Sequence, residues 1–195
     1  MGFDPSVLRR ELSGLSTNHR VAFCVSCSQR LLPSYEGFFH MEKWGTPEIL
    51  KAAIEEVWQF LQGNQGLSRE RIRDLARQCE EAAPDTERFS SRYTSAALDA
   101  ASALVETLQC CEDGDPTHGV NAATSARDSV DMYIQVRDNL DAQGDAMEEA
   151  IARDPLMQRE MKKQENDLSD LKQAKILTPE FVKSLWKSSC YDLLS

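Results

Sequence analysis

The sequence predicts an all-α fold, a single-domain bundle of about seven to nine helices. Two observations carry this. Asp4-Pro5, Thr46-Pro47, Asp115-Pro116, Asp154-Pro155 and Thr178-Pro179 each put an N-cap acceptor before a proline at the first helical position, where the missing N–H is one the helix leaves unpaired anyway. Between these starts apolar residues recur every three or four positions, and the alternating Val, Ile and Thr runs of strands are missing. At 195 residues the chain can bury one sizeable core, so residues 1–195 are read as one domain. An internal break is placed near 112–117, and 145–195 hold more polar helices.

The first helix is predicted from Pro5 to Leu15, with Val7, Leu8, Leu12 and Leu15 on one stripe. The second runs from about His19 to Leu32, where Val21, Phe23, Cys24, Cys27 and Leu31 form the apolar side and Pro33 ends the pattern. An aromatic connector, 33–45, follows. The helix from Pro47 to Gln62 carries Leu50, Ala53, Ile54, Val57, Trp58 and Leu61 at helical spacing. Ser68 caps the next, with Ile72, Leu75, Ala76 and Cys79 inward and Pro84 beyond its end. From about Ser91 to Cys111 an alanine-rich helix is expected at the centre of the bundle, beside the Pro47 helix. After the break a long helix reaches about Leu140, and residues 139–145 interrupt again. Three polar helices complete the chain, to about Arg153, from Pro155 to Lys175, and from Pro179 to about Cys190. Met157, Met161, Leu168 and Leu171 give the middle one only a narrow apolar seam, which places it outside or against another chain.

Composition narrows the function classes. The formal charge of −10 repels phosphate backbones, and the arginines at 69, 71, 73 and 77 have acidic neighbours and no interleaved aromatics, so nucleic acid is not expected as a ligand. No apolar run approaches the roughly 20 residues needed to cross a bilayer, so no membrane partner is expected. Met1-Gly2 with Ser6 matches a bare myristoylation pattern without a polybasic second signal. Six cysteines in a chain of this size without a charged-then-apolar leader fit reduced thiols in a cytoplasm.

Several motifs invite chemistry. Cys24-Val25-Ser26-Cys27 has the spacing of a metal or redox pair, yet it falls within a helical pattern and no second pair completes a tetrahedral site. Cys24 and Cys27 are therefore weak metal candidates, and no metal or cofactor is expected. Glu-x-x-His, the signature of helical di-metal sites, does not occur. Asp99 shares a helix face with Ser95, Ser102 and Glu106, a solvent face unless Asp99 turns into a polar pocket between helices. Such a pocket, with His40, Glu80 or Glu81 contributing, is the enzyme or small-molecule alternative. No nucleophile elbow, P-loop or dinucleotide fingerprint is present. The connector puts Tyr35, Phe38, Phe39 and Trp44 within ten residues. They either plug the end of the bundle or, if exposed, anchor a partner protein, with Tyr35, Phe38 and Trp44 as the candidate anchors.

The chain resembles the YjaG-like bacterial proteins, known as domain of unknown function 416. The resemblance rests on Ala22-Phe23, on Gln29-Arg30-Leu31-Leu32-Pro33-Ser34-Tyr35-Glu36-Gly37-Phe38, on Trp44-Gly45 and on Ile54-Glu55-Glu56-Val57-Trp58. It continues through Cys79-Glu80-Glu81-Ala82-Ala83-Pro84-Asp85 and Ala97-Leu98-Asp99-Ala100 to Asp154-Pro155. It implies an all-helical cytoplasmic protein with no established activity and no catalytic residues to transfer. The expectation is a non-enzymatic interaction or regulatory module, with a protein partner or a second copy.

Overall fold

Caps set the helix starts. In a computed structural model, which describes residues 3–140 and 144–195, Asp4, Asp115, Asp154 and Thr178 each accept a backbone N–H of the first turn, as do Ser16 and Ser68. Thr46 differs. Its side chain caps nothing, and its own N–H donates to the Tyr35 hydroxyl at 3.3 Å. Met1, Gly2 and part of the break at 139–145 lie outside the described residues.

Nine helices are described: α1 Pro5–Ser13, α2 Thr17–Glu42, α3 Pro47–Leu61, α4 Arg69–Glu81, α5 Thr94–Asp113, α6 Pro116–Asp138, α7 Asp145–Arg153, α8 Pro155–Gln173 and α9 Pro179–Ser189. No strand occurs among the described residues. The alanine-rich α5 is the hub, packing on α2, α4 and α6. Ala96, Ala97, Ala100, Ala101 and Ala103 are all buried, and their small side chains let the neighbouring helices approach closely. Its main partner is α2 rather than the expected Pro47 helix, which flanks the bundle as α3.

The largest departure from expectation is in α2, which runs straight through Pro33. An internal proline removes one helical hydrogen bond and crowds the preceding turn, at about 3 kcal/mol. Tertiary burial overrides it. Tyr35 and Phe38, both 0 % exposed, extend the α2 core face past the proline. Phe38 packs edge-on against Phe89 and Trp44, with ring centroids 5.3 and 6.0 Å apart. The Tyr35 hydroxyl donates to the Ala82 carbonyl at 2.6 Å. Gly37 admits the Tyr93 ring, which a Cβ would meet at 3.1 Å. The connector shrinks to residues 43–46, entered through Lys43 in the left-handed region (φ 54°).

The polar α8 also finds its partners within the chain, α2 and α6. Its seam is wider than its apolar residues imply, because Glu160, Gln164 and Asp167 are buried beside Met157, Leu168 and Leu171. Among the described residues no helix is long and apolar enough to cross a membrane.

Candidate functional site

Helix α2 organises the most distinctive chemistry in the molecule. Ser26 and Arg30 sit four residues apart on one face, directed at α8 and α9. The Arg30 guanidinium, 0 % exposed, grips Glu160, also 0 % exposed, through two parallel bonds, Nε to Oε2 at 2.8 Å and Nη2 to Oε1 at 2.6 Å. Its Nη1 donates to the Ser26 carbonyl and hydroxyl, both at 2.8 Å, and to Asp167 at 3.3 Å. Burial alone disfavours the charged guanidinium, but the facing Glu160 outweighs it and Arg30 stays protonated. Ser26 reaches Asp167 and the Ser189 hydroxyl of α9, each at 2.7 Å. Lys163 closes the other side of Asp167. The cluster thus pins both C-terminal helices to α2. Ser26, Arg30, Glu160 and Asp167 are buried and satisfy one another, the arrangement of a structural clasp, whereas the buried hydroxyls of Ser34 and Tyr191 have no hydrogen-bond partner among the described residues.

Pinning α9 there leaves a groove between α2, α3 and α9, of about 440 Å³. Gln29, one residue from the clasp, lines it and accepts the Trp58 Nε1–H at 3.1 Å, which orients the indole. Ile54 and Trp58 come from α3, and Trp186 and Cys190 form the α9 wall. Trp186 is 38 % exposed. At the mouth Lys51 pairs with Glu36 at 2.5 Å, and Glu55 accepts a hydrogen bond from Gln59 at 3.2 Å.

A second, more polar hollow of about 550 Å³ lies where α5 meets α6, lined by Arg69, Gln109, Glu112, Asp113 and His118. His118 contacts Glu106 at 2.6 Å and Asp113 at 3.3 Å. Burial works against its imidazolium, but the two carboxylates prevail and its proton affinity rises above the ordinary histidine value. Among the described residues no group of three or more His, Cys, Asp or Glu could hold a metal ion.

The residues singled out from the sequence are dispersed by the fold. Tyr35 and Phe38 are buried and so present no surface to a partner, which corrects the expectation for those two: they plug the bundle. Trp44 is partly buried against Phe38 and Phe89. His40 is exposed at the end of α2, and Glu80 and Glu81 are exposed on α4, so none of them joins Asp99. Neither hollow is lined by Asp99 or His40. Cys24 and Cys27 are 0 % exposed in mid-helix and turn to different partners. Cys24 pairs with Cys110, which together with burial pushes its thiol well up. Burial pushes Cys27 up to about 12, and its sulfur accepts from Arg30 at 3.6 Å.

Asp99 does turn inward, toward α6, where it accepts the Ser129 hydroxyl at 2.7 Å. Burial raises its carboxyl to about 6 against the Ser129 hydrogen bond, with Asp128 adding repulsion. Because the folded state holds the proton more tightly than the unfolded chain, the ionised carboxylate costs stability above about pH 6, and the cost fades as pH falls toward 4. Asp99→Asn keeps an acceptor for Ser129. It should stabilise the fold by about 2 kcal/mol near neutral pH, allowing for residual exposure, and by almost nothing near pH 4. Denaturant melts at the two pH values check this.

Arg30, Glu160, Asp167 and Trp186 were not among the residues singled out from the sequence. The signals available were a lone arginine inside an apolar helix face and carboxylates at i and i+7 within the α8 seam.

The family model described as "Protein of unknown function (DUF416)" matches residues 8–193. No curated protein matches the chain. Among solved structures it is similar to a DUF416 family protein from Shewanella baltica OS155, at 23% identity and a TM-score of 0.86, over 100% of this chain and 98% of that one, a likeness of fold. With 186 consecutive residues matched, 8 through 193, the chain belongs to the DUF416 family.

Proposed function

We propose that the protein is a non-enzymatic interaction module of the bacterial cytoplasm, and that its docking surface is the groove between α2, α3 and α9. The observation that carries this is Trp186, a large aromatic left 38 % exposed on the wall of an apolar groove opposite Trp58. Burying an indole in such a setting is among the most productive anchoring contacts a protein interface makes. The polar groups that would otherwise attract a catalytic reading are already committed: Asp99 to Ser129, Arg30 to Glu160 and Asp167, His118 to Glu106 and Asp113.

A photo-crosslinking amino acid at Gln62, which lines the groove, tests the proposal in cells, with Met132 on α6 as the off-groove control. A discrete protein adduct is expected from position 62, absent from position 132 and lost in the Trp186→Ala background. Equal adducts from both positions, or an adduct indifferent to Trp186→Ala, would sink the reading.

A further inference from the structure

Helix α5 turns into α6 through only Gly114 and Asp115. Gly114 sits in the left-handed region, φ 73°, where a Cβ would meet the Thr17 hydroxyl at 2.7 Å. His118, in the first turn of α6, faces back toward α5 across this corner. Its Nδ1 lies 2.6 Å from Glu106 Oε2, and its Nε2 lies 3.2 and 3.3 Å from the two carboxylate oxygens of Asp113. Ionised carboxylates only accept, and a neutral imidazole carries one N–H, so both contacts are hydrogen bonds only when both ring nitrogens hold protons. A neutral ring cannot satisfy this geometry.

The other charges at the corner are engaged elsewhere. Arg73 of α4 pairs with Glu112 at 2.5 Å, Arg20 of α2 donates to the Gly114 carbonyl, and Arg9 of α1 donates to the Thr117 hydroxyl at 3.2 Å. Asp115 caps α6 through the Thr117 N–H at 2.8 Å, and the buried Cys110 thiol is bonded to Cys24. Arg69 of α4 lines the same hollow. His118 is thus the cation that Glu106 and Asp113 share.

We propose that His118 is a proton-operated latch on the polar hollow: its imidazolium ties Asp113 to Glu106, and loss of one proton to water frees Asp113 and opens the rim. The remaining proton stays on Nδ1, against the closer Glu106, whose other oxygen accepts from Asn121 at 3.0 Å. Nε2 then turns a lone pair toward Asp113. That side chain is 58 % exposed and swings out to water. Its Oδ1 also accepts the Asp115 N–H at 2.8 Å, so release loosens the turn into α6. Burial opposes the imidazolium, yet the two carboxylates prevail and raise its proton affinity. The latch therefore stabilises the fold in full below about pH 6.5, the unfolded value, and its contribution is lost as pH rises through the higher folded value.

The test pairs an NMR titration of the three histidines with hydrogen exchange at the Asp115 amide, corrected for base catalysis of exchange. His118, identified by its absence in H118Q, should titrate above about pH 6.5, and Glu106→Gln should lower its midpoint. Asp115 protection should fall severalfold across that midpoint, and should be low and flat in H118Q. Asp113→Asn keeps an acceptor for Asp115 but drops the charge, so it should abolish the pH step, and it serves equally if H118Q does not fold. A midpoint at or below about 6.5 would overturn the latch. So would Asp115 protection that stays level through the titration, or a step that survives in Asp113→Asn.

Discussion

Glu160→Leu is expected to destabilise the protein by about 3–5 kcal/mol, because it leaves the fully buried Arg30 guanidinium without the carboxylate that neutralises it. The size follows from what remains. Asp167 lies at 3.3 Å from Arg30 and is shared with Lys163 and Ser26, so it cannot replace a bidentate partner at 2.6 and 2.8 Å. Adding Arg30→Met should restore most of the loss, since a buried pair exchanged for apolar groups of similar volume is often neutral. Urea melts of the single and double variants measure both values. A single variant as stable as the parent would mean that the Arg30–Glu160 pair is not closed to water as described.

Phe38→Ala should cost about 3–5 kcal/mol, the usual range for truncating a buried phenylalanine. Phe38 is 0 % exposed and holds Trp44 and Phe89 by their edges, so its removal leaves a cavity that rings from two other segments line. It also weakens the burial that carries α2 past Pro33, and fraying should spread from residue 42 back toward the proline. Chemical denaturation gives the magnitude, and hydrogen exchange over 34–42 gives the location. A loss under about 0.5 kcal/mol, typical of a surface position, would restore Phe38 as an exposed anchor.

What the sequence made legible was local. The Asp4, Asp115, Asp154 and Thr178 caps lie within three residues of the N–H groups they satisfy, so their signal needs no knowledge of the fold. The buried alanines of α5 show the same economy, because small side chains at helical spacing mark a close packing face wherever the helix sits. Pro33 defeats such reading. Its local cost is real, and the interactions that outweigh it come from Ala82, Phe89 and Tyr93, more than forty residues away. The clasp is harder still: Arg30 and Glu160 are 130 positions apart, and each alone reads as an ordinary solvated charge. The groove inherits that difficulty, since its α9 wall is set beside α3 by long-range contacts: the Ser26–Ser189 hydrogen bond and the burial of Val182 and Leu185. The aromatic connector showed a cluster with two readings, and burial of Tyr35 and Phe38 decides for the plug.

The central claim is that Trp186 anchors a partner in the groove. Its most direct test is the affinity of the partner captured at Gln62 for the parent and for Trp186→Ala, with thermal melts of both. Truncating a central aromatic anchor should weaken binding by about 30-fold or more while the variant still melts cooperatively, at a temperature lowered by the loss of the indole's partial burial, because α9 also packs through Val182 and Leu185. Equal affinity for the two proteins would contradict the account.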